Sequence, residues 1–342
     1  MAELGERLLY LSCAAARRIM VFAQDRASGE LHARPGITVP GTGAPALSMP
    51  LARHPQGLVL YAAERTEPYA VSSFAIDPAT ATLRPLALAP LPAAMAYLAT
   101  DRAGRFLLAA SYPHSLVSVS AIGADGGVLA PPAQVIATPA RAHCILADPQ
   151  NRFVHATSLG GDCLLTWPLG PHGLVESALR VTPQRPGAGP RHLAFGEQGR
   201  LVFLLNELDA SIDVFGCAEG ILTHRQTVAF PDMPAGQAAA ADLHLSPDGR
   251  FLYASERRTN RLAWFAVAPG EGTLRPAGAL PCEAHPRGFA ITPDGHFLLC
   301  AGLEENRLGV YALAGETGAP TRLAQYPTEA GPNWIEIADP SA

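Results

Sequence analysis

SPDGRFLYASE, residues 246–256, returns 46 residues later as TPDGHFLLCAG, residues 292–302. Each copy carries a Pro-Asp-Gly turn followed by a short apolar run, the pattern of a hairpin feeding a strand. The same pattern occurs further back in the chain. With the turn residue as anchor, Gly249 and Gly295 are preceded by Gly199 in EQGRLVF, Asn151 in PQNRFVH, Gly104 in RAGRFLL and Gly57 in HPQGLVLY, at spacings of 46 to 50 residues. Self-similarity at this period marks a radial repeat, and a strand-rich unit of this size is one blade of a propeller.

Each unit has one grammar. An apolar strand (DLHL) enters the turn, a second strand leaves it (RFLYAS), a third follows a polar loop (RLAWFAV), and a weaker fourth closes after a Gly-rich turn (GTLRPAGALP). The closing stretch GPNWIEIADPSA reads as a first strand with no second, and ERLLYLS near the start reads as the missing second strand. The expectation is an all-β, seven-bladed β-propeller spanning residues 1–342 as one domain. Blade one is then completed by strands from both ends, which hides the sheet edges.

Composition agrees with that reading. Of 342 residues, 48% are hydrophobic and 16% charged, enough for a large core, while 32 Gly and 32 Pro disfavour long helices. A net charge of −5 is of the wrong sign for a nucleic-acid binder. No apolar run reaches the ~18 residues of a membrane span. LLYLSCAAA, residues 8–16, superficially resembles a lipoprotein leader. Glu3 and Glu6 before it, and the arginines after it, argue against that. The six cysteines show no CxxC or zinc spacing and read as reduced thiols of a cytoplasmic protein.

The repeats also locate a site. Equivalent positions of the blades lie at equal heights, so two rings can be read at the disc face away from the turns. Eight residues before the anchors stand Met49, Ala96, His143, Arg191, Ala241 and Arg287, with Trp334 from the closing strand. Eight after them stand Arg65, Tyr112, Leu159, Glu207, Arg257 and Leu303, with Ala14 in blade one. Arg65, Arg191, Arg257 and Arg287 around His143 and Glu207 make a funnel suited to a carboxylate or phosphate. Asp242 and Trp334 join Arg65, Tyr112 and Arg257 as expected substrate-binding residues. His192 should point away along its strand and pack, His244 should bond within its blade, and Glu64 should support Arg65. GxSxG and HExxH are absent, and the rings lack the oxygen set of a hard metal, so neither metal nor cofactor is expected.

GAGPRHLAF (187–195), NELDASIDVF (206–215), DLHLSPDGRFLYASER (242–257) and HPRGFAITPDGHFL (285–298), with the closing GPNWIEI, resemble the lactonase family of seven-bladed propellers, of the cycloisomerase-2 type. The resemblance covers essentially the whole chain. It implies hydrolysis of a sugar-acid lactone, foremost 6-phospho-D-glucono-1,5-lactone of the pentose phosphate pathway. The family's functional histidine then falls on His143, its arginines on Arg191, Arg257 and Arg287, and its glutamate on Glu207. Either Glu207 or His143 would activate water. Arg191 and Arg287 would serve the carbonyl, and Arg65 and Arg257 the phosphate. Glu256 and the alanine run 238–241 depart from the family pattern. The alternatives are an unphosphorylated aldonolactone, muconate closure, or a protein-binding propeller. The expected partner is a small anionic lactone acting on a monomer or weak homodimer.

Overall fold

The computed structural model describes residues 6–338, apart from 43, 78, 79, 232, 234, 235 and 237. Glu3 and residues 339–342 lie outside that set.

The described residues form seven antiparallel sheets, six of which run from an inner strand to an outer one in chain order. The inner strands are Pro332–Ala338, Leu51–Arg53, Tyr97–Thr100, Ala142–Ala147, Pro190–Gly196, Ala240–Leu245 and Pro286–Ile291. Each touches the next, and the last touches the first, in a closed circuit. Blade one is the composite: Pro332–Ala338 pairs with Glu6–Cys13, Leu8 opposite Ala338 and Ser12 opposite Trp334. Arg18–Asp25 and Leu31–Thr38 complete it. The arginine of Arg7, fully buried, donates to both carboxylate oxygens of Asp294 and so ties blade one to blade seven.

The local reason for the hairpins is visible at the six anchors. All have positive φ, from 59° at Asn151 to 86° at Gly199, where glycine and asparagine cost least. In four of these turns the opening residue also supplies a side-chain hydrogen bond acceptor. The Asp101 and Asp148 carboxylates accept from the N–H groups of Phe106 and Phe153, and the Ser246 and Thr292 hydroxyls accept from those of Phe251 and Phe297.

Between blades the inner three strands interleave apolar side chains. Phe203 and Leu205 of blade five, for example, pack in one cluster with Leu252, Ala254 and Phe265 of blade six. Each such large side chain contributes roughly 1.5–3 kcal/mol. Outer strands such as Ile221–Ala229 are largely exposed. Five inner strands also carry a β-bulge near their start, at Ala142/Ile145, Pro190/His192, Ala240/Leu243, Pro286/Gly288 and, in blade one, Pro332/Trp334. These bulges decide what faces the axis.

Candidate active site

A bulge places two consecutive residues opposite one, so both can turn toward the same side. In blade five these are Arg191 and His192. The bulges of blades four, five and six are held by hydroxyls of second strands: Thr157 Oγ1 accepts from the Cys144 N–H at 2.9 Å and donates to the Arg191 carbonyl at 2.7 Å, and Ser255 Oγ accepts from the Asp242 N–H at 3.1 Å.

At the face opposite the hairpin turns lies a cavity of about 550 Å³, lined among others by Arg65, Tyr112, His143, Arg191, Glu207, Arg257 and Arg287. That volume suits a small molecule. The two rings read from the sequence therefore converge, and they do so around one carboxylate. Arg191 Nε donates to Glu207 Oε2 at 2.8 Å, and Arg257 Nη2 lies 3.0 Å from Oε1. Arg257 Nε donates to the Ala239 carbonyl at 3.0 Å, so the alanine run acts through its backbone. Glu256 accepts from the N–H groups of Ala239 and Thr259 and fixes the turn behind Arg257. Arg65 and Arg287, by contrast, have no carboxylate against their guanidiniums among the described residues.

The electrostatics follow. Burial would raise the Glu207 carboxyl, but Arg191 and Arg257 outweigh it and hold it below its ordinary value. Burial, and then Arg257, bring Arg191 down to about 10. Arg287 falls well below the usual guanidinium range, through burial and the neighbouring Arg191, Arg257 and Arg65. His143 is also held well below the ordinary histidine value, first by burial and then by Arg191, His192, Arg287 and Arg257, so its imidazole is neutral. Its Nδ1 is buried without a hydrogen bond partner. Its ring packs edge-on against Tyr112, centroids 5.9 Å apart, and lies 5.2 Å from the His192 ring.

The bulge overturns the expected orientation of His192. Its Nε2 lies 3.0 Å from Arg191 Nη1, and its Nδ1 lies 2.8 Å from Asp242 Oδ1. Because arginine only donates, Nε2 is the acceptor and Nδ1 carries the proton. His192 is driven down to about 4 by burial and then Arg191. Asp242 and Trp334 are also corrected: neither lines the cavity. Asp242 Oδ2 meets His244 Nε2 at 3.1 Å and accepts from the Phe289 N–H at 3.0 Å. Although burial opposes it, His244 and the bonds from both histidines keep Asp242 well below its usual range. Trp334 packs on Tyr97 and His192 and donates to Glu336 Oε1 at 3.1 Å, one contact further from the cavity. His244 bonds within its blade as expected. Glu64 accepts from the N–H groups of Arg65 and Thr66 and pairs with Arg17 at 3.3 Å, so it supports the backbone of Arg65.

Tyr69, Pro113 and His114, with Ala46, Leu47 and Ala94, also line the cavity, and the repeat pattern missed them. They sit in loops that differ in length from blade to blade, where no equivalent height exists. Only the aromatic character of Tyr112-Pro113-His114 could have signalled them.

Residues 9–337 match the family model described as lactonase, 7-bladed beta-propeller. The chain belongs to the lactonase family of seven-bladed β-propellers. Relatives within reach of this lactonase chain include a 6-phosphogluconolactonase of Serratia proteamaculans, 38% identical over 72% of this chain and 75% of that protein. Another, from Pectobacterium carotovorum, is 37% identical over 84% and 85%. The solved periplasmic gluconolactonase of Pseudomonas aeruginosa superposes with a TM-score of 0.87 at 27% identity, covering 98% of this chain and 99% of that one.

Proposed function

We propose that this lactonase-family propeller hydrolyses 6-phospho-D-glucono-1,5-lactone to 6-phosphogluconate, with His143 as the base. The observation that carries the reading is the division of the cations. Arg191 and Arg257 share the single negative charge of Glu207, while Arg65 and Arg287 face the same cavity with no carboxylate against them among the described residues. Like charges held together in a buried site repel, and a dianionic phosphate relieves that cost. The relatives named 6-phosphogluconolactonase support the same substrate.

Glu207 has both oxygens engaged by arginines, which makes it a poor proton acceptor. His143 is neutral and lines the cavity, which suits a base. A water attacks the lactone carbonyl carbon as His143 takes its proton. The oxyanion is stabilised by the Arg191 guanidinium, whose Nε and Nη1 are fixed by Glu207 and His192. The ring C–O bond then breaks, and the proton passes from His143 to the departing ring oxygen. Arg257 spends Nε and Nη2 on protein acceptors, so the phosphate is assigned to Arg65 and Arg287.

The test is turnover of freshly generated 6-phosphogluconolactone against gluconolactone and galactonolactone, corrected for spontaneous opening. The phosphorylated lactone should be preferred, and Arg287→Ala should raise its KM more than that of gluconolactone. Equal rates on phosphorylated and plain lactones would instead favour an unphosphorylated aldonolactone. We place the protein in the cytoplasm, where thiols stay reduced, and expect a monomer or weak homodimer. Its cysteines are free, and no helix is long and apolar enough to cross a membrane.

A further inference from the structure

Away from the cavity, a second set of reactive side chains converges at the joint of blades six and seven. Cys282 and Glu283 lie between the outer strand of blade six, Leu274–Pro281, and the inner strand of blade seven. Cys300 sits on the second strand of blade seven, Phe297–Gly302. The two Sγ atoms and a carboxylate oxygen of Glu283 all lie within 4.8 Å of one another. Neither cysteine is in a disulfide. Glu283 and Cys300 are fully buried, whereas Cys282 is partly exposed and offers an approach from solvent.

The carboxylate is oriented from its other side. Tyr311 donates to Oε2 at 2.8 Å, Gln325 Nε2 donates to Oε1 at 2.9 Å, and Arg322 Nη1 stands 3.8 Å from Oε1. Gly309 leaves the room for it, since a Cβ there would stand 2.1 Å from Oε1. None of these residues lines the cavity described above.

We propose that Cys282, Cys300 and Glu283 bind one thiophilic divalent cation of the zinc and cadmium class. Two thiolates and a carboxylate are a donor set for such ions rather than for calcium or magnesium. Metal–sulfur bonds of about 2.3 Å in tetrahedral geometry put two sulfurs about 3.8 Å apart, within the spacing found here. The charge balance is also favourable. The ion displaces two protons, M²⁺ + 2 RSH → M(SR)₂ + 2 H⁺, so a neutral unit replaces two neutral thiols and Glu283 still faces Arg322. Both thiols give up their protons to the metal, so affinity rises with pH.

The experiment titrates the metal-free full-length protein with Cd²⁺, following ultraviolet sulfur-to-cadmium charge-transfer absorption and proton release. One equivalent per chain and about two protons per ion are expected. Cys282→Ser and Cys300→Ser should each remove most of the absorption. Glu283→Gln should keep it while weakening affinity by about 10- to 100-fold. Cys217→Ser, on another blade, should change nothing. Should Cys300→Ser fail to fold, Cys282→Ser decides, with the circular dichroism spectrum as the check on folding. Absorption that is absent in the parent, spread over several equivalents, or undiminished in Cys282→Ser overturns the site.

Discussion

At the scale of single residues the question is which group accepts the proton. Glu207→Gln keeps shape but removes the charge that pairs Arg191 and Arg257, so its main effect should be loosened arginines and a higher KM. His143→Asn should lower kcat by about 10²–10⁴, the usual worth of a general base. Steady-state kinetics on one lactone separates the two, and the reverse ranking returns the base to Glu207. The pH profile is a second check. A base acts when deprotonated, and His143 is pushed below 6.5. The acid limb of kcat/KM should therefore lie below pH 6.5 and vanish in His143→Asn. Among the described residues lining the cavity Glu207 is the one carboxylate, and arginines occupy it. EDTA-treated protein should keep its rate; a loss restored by Ca²⁺, or by Zn²⁺ in Cys282→Ser as well as in the parent, would put a metal in the mechanism.

At the scale of the element, the bulged inner strand does most of the positioning. The rings of His143, Arg191, Glu207, Arg257 and Arg287 were legible in the sequence because repeats set equivalent heights. The bulge was not: simple alternation sends His192 away from the axis, and one extra residue brings it back against Arg191. Asp242 was misread for the same reason, since it reaches His192 and not the cavity. Asp242→Asn should leave the fold intact but free His192 to turn, lowering kcat about 10- to 100-fold with little change in the KM of the phosphorylated lactone. An unchanged kcat would make the Asp242–His192 contact purely structural. Gly288 tests packing in the same element. A Cβ there would stand 2.5 Å from the Asn333 carbonyl oxygen of blade one. Gly288→Ala should cost about 1–3 kcal/mol, read as a lower denaturation midpoint, and disturb the adjacent Arg287. The Cys282–Cys300 pair was equally hidden. Spacing rules look along the chain, whereas these thiols meet because a strand carries Cys300 back past the blade entrance.

At the scale of the molecule, the fold was legible because the same turn is written six times and the two ends complement each other. Closure assigns a large role to a short strand. Glu6–Cys13 separates Pro332–Ala338 from Arg18–Asp25, and Arg7 bridges to blade seven. Deleting residues 1–16 should therefore expose two edges and lower the melting temperature of the whole ring in one transition. A truncated protein that melts like the parent would mean that blade one closes without its second strand.

The pairing of Leu8 with Ala338 has one more consequence. In the other six blades the first and second strands are joined by a tight turn; in blade one the same hairpin is present but cut. The chain is thus a circle opened at one of seven interchangeable places, with the opening on the face away from the cavity. Joining the ends through a Gly-rich turn and starting the gene at the exposed Asp248–Gly249 corner should yield a circular permutant with the same blades in a new order. The arginines would then come from different distances along the chain and meet in the same funnel.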